Sequence, residues 1–310
     1  MSLRIVFMGT PEFAVPSLKA LVENGYNVVG VVTATDKRGG RGKKQLLEPA
    51  VKKYAVSKAI PVLQPERLKS PEFIEELRQL KANLFVVVAF RMLPEAVWAM
   101  PAYGTFNLHG SLLPKYRGAA PINWAVMNGE TETGVTSFFI QHEIDTGDLI
   151  LQEKMVIHEN DTAGEVHDRM MELGAQVVLK TVQMIESGNY SLKKQDDRLA
   201  TRAPKIFHET CEIDFNQPAQ KVHDFIRGLS PYPAAWTTLD DKELKILRTT
   251  KERVQHEQKP GALLSDNKDW LKIAAADGYI HVHELQLAGR RRMSVSDFLN
   301  GYVLNVKNIL

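Results

Sequence analysis

The stretch from Tyr103 to Pro121, which reads YGTFNLHGSLLPKYRGAAP, decides the fold that we predict for this chain. Residues Thr105 to Leu108 follow the short apolar alternation of a strand, and Gly110 then frees the backbone. Alternation places Asn107 and His109 on the same side of the extended chain. An amide and an imidazole that emerge together at the end of a parallel strand lie where open α/β sheets place their chemistry. The sequence therefore predicts a functional site at this strand end.

A second polar segment, the loop from His142 to Asp148, lies downstream between two apolar segments that read as strands. Asp145 in this loop can supply a carboxylate. We predict that Asn107, His109 and Asp145 converge on one cleft.

The opening of the chain reads as strand, helix and strand. Leu3 to Met8 is a compact apolar run that ends at a Gly9 turn, helical spacing begins near Phe13, and Val28 to Val32 is a second β-branched run. Leu84 to Phe90 is apolar on both faces, as in a buried central strand. The Gly9 turn lacks the Gly-x-Gly-x-x-Gly fingerprint of dinucleotide-binding folds. We predict an α/β fold of the Rossmann-like type, with a doubly wound and mostly parallel sheet.

A long amphipathic helix is predicted over Thr162 to Ile185. Glu165 stands three residues after Thr162, which is the spacing of a capping box.

The pattern changes after Gly188. Residues 189–208 are polar and irregular, and we predict a linker there. Residues 209–310 hold a short helix near Ala219 to Leu229 and brief strands at close spacing, which predict a small OB-like β-barrel domain. Residues 1–188 then form the catalytic domain. His281 and His283 alternate on one strand face with no third ligand in view, so we interpret them as surface residues and not as a metal site.

Composition narrows the class of protein. The chain has 310 residues, enough for about two domains, and its net charge of +2 is too small for general affinity to nucleic acid or membranes. The single cysteine, Cys211, excludes an internal disulfide and a cysteine metal cluster. No signal-peptide pattern precedes the first strand, and the longest strongly apolar run, Leu84 to Phe90, is too short to span a bilayer. We expect a soluble, cytoplasmic protein.

The segment from Asp36 to Lys44 holds five basic residues, three glycines and one acid. Glycine and charge predict an irregular, mobile surface loop. A Walker A loop would need glycine at position 37 and serine or threonine at position 44, and both are lysine. Two interpretations remain open, a solvated loop and a contact with the phosphate backbone of a nucleic acid.

The motif from Phe106 to Ala119, FNLHGSLLPKYRGA, followed by Asp145-Thr-Gly-Asp148, resembles the folate-dependent formyltransferases. The resemblance covers essentially the whole chain. The opening IVFMGTPEF, the basic loop and the C-terminal barrel resemble the branch of that family that acts on methionyl-tRNA. Members of this branch often carry prolines in the basic loop, whereas this chain has Thr35 to Gly39 there. Without those prolines the loop is less stiff, and its sequence defines less of the shape that it takes when bound to a partner.

The resemblance implies transfer of the formyl group of 10-formyltetrahydrofolate to the α-amine of methionine on initiator tRNA, by a monomer that needs no metal. The tetrahedral intermediate carries an oxyanion, which needs preorganised donors. The Asn107 amide and a His109 ring N–H can supply them, while Asp145, through a water, can hold the His109 tautomer and carry the proton. The resemblance also implies a folate site formed by Ser111, Leu112, Leu113, Pro114, Phe90 and Met92. It implies a tRNA contact formed by Lys37, Arg38, Arg41, Lys43 and Lys44, in which Arg41 meets the acceptor end. We also expect the linker and the C-terminal barrel, residues 209–310, to bind the tRNA backbone without reading its sequence.

Three alternatives stay open. A formyltransferase acting on a nucleotide-sugar amine, or a formyl-folate hydrolase domain, would keep Asn107, His109 and Asp145 but would have no use for the basic loop. A non-catalytic RNA-binding protein would have no use for those three residues.

Overall fold

The computed structural model describes residues 2–39 and 45–304. The chain divides into two compact units, each built from separate stretches. The first unit contains Met1–Gly118, Gly134–Met155 and His167–Arg202, and the second contains Ala119–Thr133, Val156–Val166 and Ala203–Leu310. Two short segments of residues 1–188 therefore belong to the second unit. The boundaries after residues 188 and 208 stay a prediction about the domains.

Strands and helices alternate through the first half of the chain, and strands dominate the end. The strands are, along the chain, β1 (Arg4–Gly9), β2 (Asn27–Val32), β3 (Lys37–Gly39), β4 (Gln45–Leu47), β5 (Val62–Leu63), β6 (Leu84–Val88), β7 (Thr105–His109), β8 (Arg117–Gly118), β9 (Glu132–Phe139), β10 (Leu149–Val156), β11 (Arg202–Ala203), β12 (Ala235–Leu239), β13 (Lys242–Arg253), β14 (Leu263–Ser265), β15 (Leu271–Ala274), β16 (Gly278–Leu287) and β17 (Met293–Ser294). The α-helices are α1 (Val15–Glu23), α2 (Ala50–Ser57), α3 (Pro71–Gln79), α4 (Glu95–Trp98), α5 (Pro121–Met127), α6 (Ala163–Ser187), α7 (Ala219–Leu229) and α8 (Val295–Leu299).

The main sheet has seven strands in the order β10-β9-β7-β6-β1-β2-β5. The strands from β7 to β5 are parallel, and β9 runs antiparallel to β7. The chain winds outward from β1 to β5 and then returns to β6 on the other side of β1, so the order reverses between β1 and β6. This confirms the predicted doubly wound, mostly parallel sheet. Ligands bind such sheets outside the carboxyl ends of the strands, near this switch point.

Packing on both faces holds the central strands in place. All five residues of β6 are buried, as its unbroken apolar sequence predicts. On one face Phe85 and Val87 share a core with Phe73 and Leu77 of α3. Helix α6 packs closely against β7 at Gly174, which has no side chain. A Cβ at this position would lie 2.8 Å from a methyl carbon of Leu108.

The capping box at the start of α6 is confirmed. Glu165 N–H donates to the Thr162 hydroxyl at 3.2 Å, and Thr162 N–H donates back to the Glu165 carboxylate at 2.8 Å. Two of the backbone donors at this helix end are thereby satisfied.

The second unit is organised around an antiparallel sheet with the path β12-β13-β16-β15-β14, and β17 adds to β16. Inward residues of these strands alternate with outward ones, so that Ile273, Ile280 and Val282 enter a core closed by α7 and α8. The predicted small, mainly antiparallel C-terminal β domain is confirmed. In the described parts of the chain, no helix is long and apolar enough to cross a membrane.

Sequence patterns missed several local features. Lys37–Gly39 forms β3 and pairs with β4 beyond the basic loop, so the prediction that 36–44 holds no regular element is wrong for these residues. Backbone pairing between two short segments needs little side-chain pattern, which explains the miss. The strands of the C-terminal domain were predicted to be brief, but β13 runs over twelve residues, because its long ladder with β16 continues through charged, outward-facing positions. Helix α8 has only five residues, which is too short for a helical periodicity to be visible in the sequence.

Candidate active site

Strand β7 delivers two polar side chains to the carboxyl edge of the main sheet. Asn107 pairs with Val87 of β6 and with Phe138 of β9, and His109 ends the strand opposite Thr136. His109 is buried at 6% exposure, whereas Asn107 is partly exposed. Within residues 2–39 and 45–304, the Asn107 amide has no hydrogen-bond partner, so its N–H groups are free to meet a ligand.

The two ring nitrogens of His109 have different partners. Nε2 lies 2.8 Å from the Tyr116 carbonyl oxygen, and Nδ1 lies 3.7 Å from Oδ2 of Asp145. A carbonyl only accepts, so Nε2 carries the proton of the neutral ring. Nδ1 is then an unprotonated acceptor beside a carboxylate, at a separation too long for a direct hydrogen bond. The Tyr116 carbonyl therefore sets the tautomer, a role that we expected of Asp145.

Asp145 is placed by its backbone and by its neighbours. Its φ of 58° lies in the left-handed region, which costs energy for a residue with a Cβ. Gly118 N–H donates to Oδ2 of Asp145 at 2.9 Å. Gln195 donates from Nε2 to the carbonyls of Asp145 and Gly147, both at 2.8 Å. These bonds hold the carboxylate at 11% exposure beside the imidazole.

Gln195 is itself oriented by Arg117. The guanidinium donates to Oε1 of Gln195 at 3.1 and 2.8 Å, and it also pairs with Asp197 at 2.7 Å. Because both ends of the Gln195 amide are engaged, its orientation is fixed. The segment predicted as a linker thus contributes directly to the geometry around Asp145.

The turn after β7 is held by the buried hydroxyl of Thr136. This hydroxyl donates to the Ser111 carbonyl at 2.6 Å and accepts from Leu113 N–H at 3.1 Å. Gln152 donates to the same hydroxyl and to the Leu113 carbonyl. The Ser111 hydroxyl is fully buried and donates to the Lys115 carbonyl at 2.6 Å. It is therefore committed to the turn and is not arranged as a nucleophile beside His109.

The residues predicted to bind folate follow β6 and β7, which are neighbours in the sheet. Met92 is 74% exposed, and Phe90, Leu112 and Pro114 are partly exposed. Leu113 is buried at 3% and lies in a cluster with Phe138 and Leu149. Apolar surface is thus available on the segments that follow β6 and β7, although the side chains of Ser111 and Leu113 themselves point away from solvent.

Of the predicted tRNA contacts, Lys37 and Arg38 are exposed on β3, and Arg41, Lys43 and Lys44 lie outside the described residues. The base of this hairpin is anchored by Asp36, which accepts from Lys52 and from Gln64. The hydrogen bonds from Gln64 and Lys52 lower the pKa of Asp36 below its usual value.

The sequence did not reveal Tyr116, Arg117, Thr136 or Gln195 as parts of the site. Tyr116 acts through its backbone carbonyl, which no side-chain pattern reports. Gln195 stands 50 residues after Asp145 in a polar stretch without periodicity. In the described part of the chain, no group of three or more His, Cys, Asp and Glu side chains is arranged to hold a metal ion.

The chain matches two family models along most of its length. Residues 3–182 match the model described as formyl transferase, and residues 205–303 match formyl transferase, C-terminal domain.

Curated relatives are similar over nearly full length. A protein of Parabacteroides distasonis named methionyl-tRNA formyltransferase is 54% identical over 310 residues, which cover 97% of this chain and 96% of the relative. A protein of Phocaeicola vulgatus with the same name is 56% identical over 311 residues, with 97% and 96% covered.

Solved structures share the fold at low identity. WlaRD, a sugar 3N-formyl transferase crystallised with dTDP and 5-N-formyl-THF, has a TM-score of 0.69 at 20% identity and covers 94% of this chain and 100% of that one. HypX from Aquifex aeolicus in complex with tetrahydrofolic acid has a TM-score of 0.67 at 18% identity. The match covers 100% of this chain and 49% of HypX, so this chain spans about half of that protein. With matching models over both parts and relatives more than half identical, the chain belongs to the formyl transferase family.

Proposed function

We propose that this protein transfers the formyl group of 10-formyltetrahydrofolate to the α-amine of methionyl initiator tRNA, giving N-formylmethionyl-tRNA in the cytoplasm. The observation that carries the proposal is the near full-length identity of 54% to a protein named methionyl-tRNA formyltransferase. The juxtaposition of His109 and Asp145, with the free amide of Asn107 on the same strand, supports the chemistry.

The amide of Asn107 is the first donor for the oxyanion. Attack of the amine on the formyl carbon forms a C–N bond and places negative charge on the formyl oxygen. Asn107 is suited to this charge because its N–H groups have no competing partner among the described residues, and because a rigid parallel strand holds them. Collapse of the intermediate then breaks the bond between the formyl carbon and the folate nitrogen.

His109 is the proton carrier. The attacking amine must lose a proton, and the folate nitrogen must gain one to leave. With the proton of the neutral ring on Nε2, the acceptor Nδ1 can take the proton from the amine. The imidazolium so formed has an N–H on Nδ1, which can donate to the oxyanion or return the proton to the leaving nitrogen.

Asp145 stabilises that imidazolium. Its carboxylate lies 3.7 Å from Nδ1, so that its negative charge attracts the positive ring once it has formed. A water that bridges the gap would let the carboxylate take part in the transfer. The Gly118 N–H and the Gln195 amide keep the carboxylate from turning away.

We propose that the co-substrate lies along the exposed apolar groups after β6 and β7. Met92, Phe90 and Leu112 offer surface for an aromatic ring system next to the reacting atoms. The backbone of Ser111 to Pro114 supports this wall through the Thr136 network. We propose that the basic segment from Asp36 to Lys44, with Lys37 and Arg38 exposed and with Arg41, Lys43 and Lys44, contacts the tRNA.

The decisive experiment follows the transfer of a labelled formyl group from 10-formyltetrahydrofolate to charged initiator methionyl-tRNA. Wild type should form N-formylmethionyl-tRNA, and His109→Ala should lower kcat by roughly 100-fold to 10,000-fold. His142→Ala, which changes an exposed histidine, is the matched control. Wild type that binds folate yet leaves the charged tRNA unchanged would overturn the proposal.

The same assay separates the alternatives. A nucleotide-linked amino sugar offered in place of the tRNA should not be formylated, and 10-formyltetrahydrofolate alone should not be hydrolysed. Arg41→Ala should raise the KM for tRNA most at low salt, because a lost phosphate contact also reduces the salt dependence of binding. An unchanged activity at every salt concentration would remove Arg41 from the tRNA contact.

A further inference from the structure

The outer face of the C-terminal sheet carries a groove with a volume of about 640 Å³, lined by Leu264, Trp270, Lys272, Tyr279 and His281. We call this feature the Trp270 groove. All of its residues belong to the second unit, and none has a part in the site at the end of β7. A volume of this size is in the range of ordinary small-ligand sites.

Strand alternation explains why these side chains gather on one face. Leu271 and Ile273 point into the core of the unit, so Lys272 between them points outward. Ile280 and Val282 are also in the core, so Tyr279 and His281 lie on the outer face. Lys272 stands directly opposite His281 in the ladder between β15 and β16.

The aromatic rings open onto a common space. The Lys272 ammonium lies 5.7 Å from the centroid of the Trp270 ring and 5.4 Å from that of Tyr279. Both rings therefore border the space around this ammonium, which its salt bridge to Glu252 holds in place. Trp270 remains 39% exposed, so a flat ligand can reach its ring from solvent.

The platform is preorganised. Asp266 accepts hydrogen bonds from the backbone N–H groups of Lys268, Asp269 and Trp270 at 2.8 to 3.1 Å, and Ser265 donates to the Trp270 carbonyl. Tyr279 is backed by the His256 ring, with centroids 4.5 Å apart. A ligand that stacks here would lose little free energy to ordering of the protein.

The charges of the groove point to a base and not to phosphate. Lys272 pairs with Glu252 at 3.0 Å, and His281 bonds to the same carboxylate at 2.8 Å. The negative charge of Glu252 thereby balances the positive charge of Lys272, which leaves little net charge to attract a phosphate. These polar groups at the edge of the rings can still donate to and accept from the edge of a planar ring.

We propose that the Trp270 groove binds one unpaired nucleobase of the tRNA by stacking on the exposed ring of Trp270, with Lys272 and Tyr279 at the edge of the base. The identity of the RNA rests on the proposed function, whereas the stacking argument rests on the groove. Aromatic platforms of this kind hold splayed bases in RNA-binding proteins, because every base presents a π face.

The test measures the Kd of the full-length protein for uncharged initiator tRNA over about 50 to 200 mM salt. Trp270→Ala should raise Kd by roughly 5-fold to 100-fold and leave the slope of log Kd against log salt unchanged, because stacking releases no counterions. Trp270→Phe retains an aromatic ring, so its Kd for the tRNA should stay close to that of wild type. Tyr232→Ala, which removes an aromatic ring that is 84% exposed in the same unit but outside the groove, is the matched control.

The outcomes separate this proposal from the proposed function. If wild type formylates the tRNA and Trp270→Ala leaves Kd within about twofold, the groove proposal is overturned and the function stands. The groove proposal would also be overturned if Trp270→Ala and Tyr232→Ala raised Kd equally, or if Trp270→Ala lowered the slope of log Kd against log salt. If wild type fails to formylate, yet Trp270→Ala alone weakens tRNA binding at constant slope, the function fails and the groove stands.

Discussion

Nε2 of His109 lies 2.8 Å from the carbonyl oxygen of Tyr116, and this contact places the proton of the neutral ring on the side away from Asp145. The carboxylate therefore accepts no direct hydrogen bond from the neutral ring. Its charge matters once Nδ1 has taken up a proton. The position of the Tyr116 carbonyl thus leaves Nδ1 of His109 as the proton acceptor and Asp145 as the charge beside it.

Asp145→Asn should lower kcat by roughly 100-fold or more, because the imidazolium loses its compensating charge. Folding should be little affected, because the Asn side-chain oxygen can still accept from Gly118 N–H. The measurement is kcat at saturating substrates beside the melting temperature. Glu143→Gln, which removes an exposed charge from the same loop, is the control. A kcat within threefold of wild type would exclude a role for the Asp145 charge.

Gln195→Ala should release the Asp145 loop and lower kcat by roughly 10-fold to 100-fold through misplacement of the carboxylate. The carbonyls of Asp145 and Gly147 lose their shared donor. Because Gln195 is a positioning residue, its effect must also appear as faster hydrogen exchange in residues 143–148. Lys194→Ala changes the preceding side chain and serves as the control. Lower activity with unchanged exchange would contradict the positioning role.

The sequence predicted the residues that alternate and missed those that act through the backbone. The place of Asn107 and His109 on β7 could be predicted because a strand has a period of two and a parallel strand end has a known orientation. Helix α7 was bounded correctly because its apolar spacing and the preceding Pro218 mark it. Tyr116 and Gln195 were not found because a carbonyl acceptor and a distant amide donor depend on how loops meet in space, which one-dimensional periodicity does not contain.

Thr136→Val should destabilise the protein by about 2 to 4 kcal/mol, because a methyl group can neither donate to Ser111 nor accept from Leu113 in a buried site. The affinity for 10-formyltetrahydrofolate should fall with it, since the turn after β7 loses its support. Urea unfolding and a folate binding titration measure the two effects. Thr136→Ser keeps the hydroxyl and should retain most of both. A Thr136→Val protein as stable as wild type would show that the network contributes little.

His223 predicts a pH dependence of stability in the second unit. It lies on α7 at 1% exposure, where it bonds to the Thr249 hydroxyl and to the Glu159 carbonyl. Burial, followed by the positive charges of Lys251 and Arg227, lowers the pKa of His223 from 6.5 to about 4. The nearby Asp224 acts in the opposite direction, but its carboxylate is paired with Arg227 at 2.7 Å.

The sign follows from proton uptake. Between pH 6.5 and about 4 the unfolded chain binds a proton at this residue and the folded protein does not, so stability falls as the pH is lowered through this window. The full effect of such a shift is roughly 3 kcal/mol. His223→Gln should lose this part of the pH dependence, whereas His142→Gln at an exposed site should keep it. Urea unfolding at pH 7, 5.5 and 4.5, followed by the fluorescence of Trp124, Trp236 and Trp270 of this unit, measures the difference. Parallel curves for wild type and His223→Gln would mean that the buried ring takes up its proton without cost.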